Sequence, residues 1–204
     1  MQEYLGYNIL WNEIVDSTQN LIARMAGSLP DKTVLAAHFQ TAGRGQGDHS
    51  WTSADGENLT FSILLKFGEE RPLLHKDEQL LTKATSLAVK DFLEHLGIEA
   101  KIKKPNDIYV KSNKICGMLI ENGASGDELD WSILGIGINI NQRAFPEDLP
   151  NAVSATMLTG LKYPLKECLC FFLEDFDRRI EMIFSARETL EKEYEESLVS
   201  FSYS

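Results

Sequence analysis

Apolar residues recur at strand spacing over about the first two-thirds of the chain and at helical spacing over the last third. The change comes after Asn141. Strand runs followed by helix runs call for an α+β domain (α/β mixed) with a mixed sheet, not a regular βαβ alternation. Tyr7 to Val15 reads as the first strand. Asp16-Ser17-Thr18 then offers N-cap chemistry, Leu21, Ile22 and Met25 recur at helical spacing, and Gly27 ends that helix. Thr33 to Gln40 and Asn58 to Lys66 read as strands, the second with Leu59, Phe61, Ile63 and Leu65 on one face. Leu80 to Leu96 is a helix closed by Gly97. A short strand, Ala100 to Lys103, stops at Pro105. Ile108 to Val110 and Lys114 to Glu121 make a hairpin about Lys111-Ser112-Asn113. Gly123 to Asp130 reads as a polar turn and Trp131 to Ile140 as a further strand. Pro164 opens a long helix reaching about Phe184, and Glu188 to Glu196 reads as an acidic helical tail.

The 204 residues suit a single domain, 1–204, with enough chain for a proper core. The formal net charge of −11 argues against an undirected nucleic-acid binder, which would carry a basic face. Five lysines between Lys101 and Lys114 still leave room for a local basic pocket. Cys116, Cys168 and Cys170 are an odd count without metal spacing, and read as reduced thiols of a cytoplasmic protein. No signal peptide and no membrane-spanning run is legible. The sequence leaves monomer and homodimer both open.

Four polar clusters sit at element ends. The stretch Gln40-Thr41-Ala42-Gly43-Arg44-Gly45-Gln46-Gly47-Asp48-His49-Ser50-Trp51 holds three of the fourteen glycines. Such a loop leaves backbone N–H groups uncovered, and with Arg44 in its middle it suits an anion that it can close over. The other clusters are Asp16-Ser17-Thr18-Gln19, the run Lys103-Lys104-Pro105-Asn106-Asp107 with Lys114, and Gly135-Ile136-Gly137-Ile138-Asn139. Glycine inside a strand marks close approach of a ligand or another backbone.

Taken in order, these clusters resemble the biotin–protein ligases, also called biotin–[acetyl-CoA-carboxylase] ligases. The matching residues are Gln40-x-x-Gly43-Arg44-Gly45 with Trp51, Lys103-x-Pro105-Asn106-Asp107, Lys114-Ile115-Cys116-Gly117-Met118-Leu119-Ile120-Glu121, and Gly135-x-Gly137-Ile138-Asn139. The resemblance runs from about residue 14 to residue 141. It implies a mixed β-sheet flanked by helices, similar to the catalytic core of class II aminoacyl-tRNA synthetases. It also implies a two-step reaction that uses biotin, ATP and Mg²⁺ and passes through biotinyl-AMP to a lysine of a biotin carboxyl carrier domain.

Carried over by motif, Arg44, Lys114 and Asp107 are the catalytic residues. Arg44 would grip phosphate, Lys114 would bridge the biotin carboxylate and the α-phosphate, and Asp107 would receive the carrier lysine. Ser17, Thr18, Gln19, Gln40, Arg44, Gly45, Gln46, Lys114, Gly117 and Gly135 are implied on the biotin side. Arg44, Trp51, Asn58, Lys103, Asn106 and Asn139 are implied on the nucleotide side. No protein metal site is implied. Plainer roles stand beside these: a helix cap for Ser17, a turn residue for Asp107, a core aromatic for Trp51, a solvated lysine for Lys103. The chain departs from the family in having Gln19 where asparagine is usual, Lys104 where tryptophan is usual, and Gln46 and His49 where many members carry arginine. The resemblance leads one to expect no N-terminal winged-helix domain, and a C-terminal small β-barrel that is missing or barely begun at Leu198 to Ser204. A lipoate–protein ligase-like acyl ligase and a non-catalytic biotin or biotinyl-AMP binding module remain open as alternatives.

Overall fold

A computed structural model describes residues 2–199. Residues 200–204, where the sequence places most of a barely begun barrel, lie outside the described residues. In chain order the strands are β1 (Gln2–Tyr4), β2 (Tyr7–Val15), β3 (Thr33–Gln40), β4 (Leu59–Lys66), β5 (Lys101–Lys103), β6 (Asp107–Val110), β7 (Asn113–Ser125) and β8 (Glu128–Ile138). The helices are α1 (Thr18–Met25), α2 (Gln79–His95), α3 (Ala155–Thr159), α4 (Leu165–Ser185) and α5 (Arg187–Glu196). All eight strands form one sheet in the order β1-β2-β3-β4-β8-β7-β6-β5. Only β2 and β3 run parallel. Helix α1 joins them, because a parallel neighbour needs a crossover where an antiparallel one needs only a turn.

The expected mixed sheet is therefore present, with its two faces used differently. Val34, Ala36, Phe61, Ile63, Leu134 and Ile136 join one continuous core with the apolar stripes of α2 and α4. Phe172 of α4 is the hub of that core, with its ring centroid 5.2 Å from Phe61, 6.4 Å from Phe92 and 5.6 Å from Phe176. The alternate residues Leu35, Leu64 and Ile133 face the other way and pack on Ile22 of α1. Helix α1 covers only part of that second face. The candidate site occupies the rest.

Three features differ from the sequence reading. Strand β1 was not expected; it pairs with β2 through a tight turn at Leu5 (φ 51°) and Gly6 (φ 78°). The stretch Gly123 to Asp130 is not a loop: β7 and β8 continue through most of it and turn only at Gly126 and Asp127. Its polar composition reflects a hairpin arm whose side chains, Leu129 apart, are largely exposed and whose backbone pairs with the segment 73–75, so no alternation marks it as strand. Helix α3 was also missed; it is a short helix capped by Ser154, whose hydroxyl accepts from the Met157 N–H at 3.2 Å.

Candidate active site

The floor of the site is set by strand register. Ser62, Gly135 and Leu119 lie opposite one another across β4, β8 and β7. The next row on the same face is Thr60, Gly137, Gly117 and, on β6, Asp107. Side chains on one sheet face repeat every second residue, so these rows stand about 7 Å apart. Small residues across the middle of an otherwise apolar sheet make a depression, and a cavity of about 240 Å³ sits over it. The glycines are required by what lies above them. A Cβ at Gly135 would stand 2.6 Å from Gln19 Oε1, and one at Gly137 would stand 2.2 Å from Trp51 Cε2.

One wall is the start of α1. Ser17 caps the helix, and its hydroxyl accepts from the Asn20 N–H at 3.5 Å. The backbone N–H of Thr18 donates to Gln40 Oε1 at 2.7 Å, which fixes the amide at the cavity wall with Nε2 beside Gly43. Gln40 Nε2 itself makes no hydrogen bond among the described residues. Behind this wall runs a buried polar chain. Thr18 Oγ1 is 2.8 Å from Ser62 Oγ, Ser62 donates to Gln19 Oε1 at 3.1 Å, and Gln19 Nε2 donates to Glu121 at 2.8 Å and to the Ile133 carbonyl at 3.1 Å.

The glycine-rich segment folds over the opening as a tight return. Gly45 N–H donates to the His49 carbonyl at 2.8 Å and Trp51 N–H to the Gly43 carbonyl at 3.0 Å. Its cation, Arg44, reaches across to β7 and grips both oxygens of Glu121, at 2.7 and 3.1 Å, with a further bond to Asn20 Oδ1 at 3.1 Å. Burial alone would raise the Glu121 pKa; the hydrogen bonds from Arg44 and Gln19 outweigh it and hold the carboxyl below its ordinary value. Gln46 and His49 are exposed and line the cavity mouth, as does Gly45.

Lys114 folds back over Gly117 and places its Nζ 2.6 Å from Asp107 Oδ1. It also lines a second cavity, of about 260 Å³, on its far side. That cavity is walled by Phe145, Leu149 and Pro150 of a segment that the Lys114 backbone pins in place. Lys114 N–H donates to the Asn151 carbonyl at 2.7 Å, and Val153 N–H donates to the Lys114 carbonyl at 3.0 Å. Ser50, Trp51 and Lys114 are the residues common to both cavities. The Trp51 indole lies along the floor between them. Its Cζ3 corner is 3.2 Å from where a Gly117 Cβ would stand, and the opposite corner, Cε2, is over Gly137. Nε1, carried on Cε2, is thereby directed to the β4 side, where Thr60 faces Gly137. Trp51 Nε1 and Thr60 Oγ1 are both buried without a hydrogen-bond partner among the described residues. Such groups cost stability unless a ligand or water satisfies them.

Most of the residues singled out in the sequence thus converge. Ser17, Thr18, Gln19, Gln40, Arg44, Gly45, Gln46, Trp51, Asn106, Asp107, Lys114, Gly117 and Gly135 line the first cavity, and Asn139 lines the second. Two do not reach either cavity. Asn58 is fully buried, and its amide donates to Gln142 Oε1 at 2.6 Å and Ser53 Oγ at 3.1 Å while accepting from the Ile140 N–H at 2.9 Å. It ties the end of β8 to the loop before β4. Lys103 stacks its ammonium 4.6 Å from the Tyr109 ring centroid, outside the cavity that Tyr109 lines. Asn106 spends its Nδ2 on the Met118 carbonyl and Asn139 its Nδ2 on the Val153 carbonyl. Sequence reasoning gave no part to Thr60, Ser62 or the segment at Phe145, and took Glu121 only as the end of a motif, without a role. Two hydroxyls inside the apolar run Leu59-Thr60-Phe61-Ser62-Ile63 were the available signal for the first pair.

Comparison with known proteins places this arrangement. The profile of the biotin/lipoate A/B protein ligase family matches residues 11–139. The bifunctional ligase/repressor BirA of Bacillus subtilis (strain 168) is 33% identical over 181 residues, which cover 87% of this chain and 55% of that protein. The biotin–protein ligase of Homo sapiens is 30% identical over 144 residues, 67% of this chain and 19% of that protein. The chain spans about half the length of the BirA proteins it matches. Among solved structures, the biotin protein ligase from Aquifex aeolicus in complex with biotin and ATP superposes with a TM-score of 0.79 at 30% identity, covering 94% of this chain and 78% of that one. The Leishmania major enzyme in complex with biotinyl-5-AMP gives a TM-score of 0.75 at 26% identity, covering 94% of this chain and 81% of that one.

Proposed function

The chain belongs to the biotin/lipoate A/B protein ligase family, and we propose that it is an ATP-dependent biotin–protein ligase that joins biotin to a lysine of a biotin carboxyl carrier domain, such as that of acetyl-CoA carboxylase. The observation that carries this reading is the position of Lys114: one ammonium group at the junction of two cavities. An enzyme that couples a carboxylate to a nucleotide phosphate needs a cation at that junction.

The first cavity suits the biotin head. Gln40 Nε2 and the hydroxyls of Ser17 and Thr18 meet at one wall, as a urea with adjacent C=O and N–H groups requires. A dithiolane ring, with only two sulfurs, would leave those groups unpaired, which counts against lipoate. The second cavity, with aromatic and apolar walls and Asn139, suits the adenosine part of ATP. Mg²⁺ would arrive on the phosphates, since a hard cation of this kind takes most of its ligands from phosphate and water oxygens.

In the first step an oxygen of the biotin carboxylate attacks the α-phosphorus. The bond to the bridging oxygen breaks and pyrophosphate leaves. Lys114 turns from Asp107 to the developing charge on the α-phosphate, and Arg44 supports it from the loop. In the second step the amine of the carrier lysine attacks the acyl carbon of biotinyl-AMP, the C–O bond to phosphate breaks, and AMP leaves. Asp107, released by Lys114, receives the hydrogen bond of the incoming amine and takes its proton. A non-catalytic binding module would have no use for this paired base and cation. The reading places the protein in the cytoplasm with its carrier. No described helix is long and apolar enough to cross a membrane.

The test is to mix the chain with biotin, MgATP and a carrier domain and to weigh the carrier. A gain of one biotinyl group on its lysine is expected, with no gain when lipoate replaces biotin. No transfer, or equal transfer of lipoate, would overturn the reading.

A further inference from the structure

The polar chain behind the first cavity has a direction, and nothing in it can be reversed. The Ile133 carbonyl and the Glu121 carboxylate can only accept. Gln19 must therefore turn Nε2 to both and Oε1 to Ser62. The single hydroxyl hydrogen of Ser62 is spent on Oε1. The 2.8 Å contact between Thr18 and Ser62 can then be donated only by Thr18. With its own hydrogen spent, Thr18 offers the cavity lone pairs and nothing else. Gln19 has no donor left for a ligand, because both of its N–H groups are committed. Its place over Gly135 is that of a strut.

The far end of the same chain is Arg44. Its hydrogen bonds to Glu121 and Asn20 use three of the five N–H groups of a guanidinium. One Nη2–H and the Nε–H remain for a ligand while the grip on Glu121 holds. Glu121 thus receives Gln19 on one side and aims Arg44 on the other.

We propose that Gln19 and Glu121 are positioning residues forming a directional hydrogen-bond relay that fixes the Thr18 hydroxyl as an acceptor, so that this site demands an N–H on the bound ring. The proposal rests on the biotin reading of the cavity, where that N–H belongs to the ureido ring. Gln19, which departs from the asparagine usual in the family, would act without touching substrate through a donor of its own.

The experiment compares biotin with the two cyclic carbamate analogues in which one or the other ureido N–H is replaced by oxygen. The quantity read is the ratio of kcat/KM for biotin to that for the poorer analogue, in the wild type, Gln19→Met and Ser62→Ala. In the wild type the poorer analogue, the one whose ring oxygen faces Thr18, should lose roughly 5- to 100-fold, because it leaves a buried acceptor unpaired. In Gln19→Met the Ser62 hydrogen is released and Thr18 can donate as well as accept, so the ratio should fall to within about 3-fold. Ser62→Ala, a small change that tests the same link if Gln19→Met folds poorly, should give the same collapse. A substitution that merely loosens the fold lowers both rates and leaves the ratio alone. An unchanged ratio in folded variants overturns the relay while leaving the biotin reading intact. A wild type that does not use biotin overturns both.

Discussion

Gln46 is the loop residue whose replacement reads the loop's charge most directly. Arg44 is held by Glu121 and Asn20, Asp48 is negative, and Gln46 faces the cavity mouth as an exposed neutral amide. A charge-assisted hydrogen bond is about twice as strong as a neutral one. Gln46→Arg is therefore expected to slow the release of biotinyl-AMP by roughly 5- to 10-fold, measured by chasing the labelled adenylate from the enzyme with excess cold ligand. Unchanged release would mean that loop charge does not govern retention. At this scale the sequence was legible where a motif names its own residues, as at Arg44, Lys114 and Asp107. It was silent on the partner of Arg44. Glu121 stands 77 residues away, and no local pattern in a single sequence reports a pairing made by strand register.

Strand β8 carries the site's space. Gly137 exists where the Trp51 indole lies on the sheet, and a Cβ there would overlap the ring at 2.2 Å. Gly137→Ala should lift the indole off the floor and narrow both cavities at their junction. Overpacking of this kind costs roughly 1–3 kcal/mol of folding stability, and nucleotide affinity should fall as the junction narrows. Titration with ATP, together with a change in tryptophan emission, checks both parts of the expectation; unaltered emission would show that the indole is not seated there. The elements themselves were well marked in the sequence wherever one face is buried. The long stripe of α4, the alternation in β4 and the caps at Ser17 and Gly97 all gave their elements away. What escaped was polar or brief: β1 with three residues, α3 with five, and the polar end of the β7–β8 hairpin. Asn58 and Lys103 escaped in another sense. Their motif neighbours face the cavities, while buried hydrogen bonds to Gln142, Ser53 and Ile140 hold Asn58 and a ring stack holds Lys103 elsewhere.

The whole molecule is a sheet held on one face by α2 and α4 so that the other face can stay open, and the clamp between those helices is charged. Arg179 donates to both oxygens of Asp91 at 2.6 and 3.0 Å, and Arg178 bridges Asp91 and Asp175 at 2.9 and 2.6 Å. The side chain of Asp175 is only 5% exposed, and its Oδ2 has no hydrogen bond among the described residues. Burial pushes the Asp175 pKa up from its ordinary value of 3.8, against the opposing pull of Arg178 and His95. The native state therefore binds this proton more tightly than the unfolded chain does. Stability from Asp175 is full below 3.8 and is lost as pH rises through the elevated native value. Asp175→Asn removes that dependence, so the difference in Tm, variant minus wild type, should become more positive from pH 4 to pH 8. A difference that is flat with pH would contradict the assignment. All of this scaffolding serves one junction, where Lys114 stands between two cavities. The most direct test of that claim is biotin-dependent exchange of labelled pyrophosphate into ATP by the wild type and by Lys114→Ala, with folding of both checked by circular dichroism. Exchange that requires biotin and falls by roughly 10²- to 10³-fold or more in Lys114→Ala is the predicted result; exchange independent of biotin, or undiminished in the variant, would contradict it.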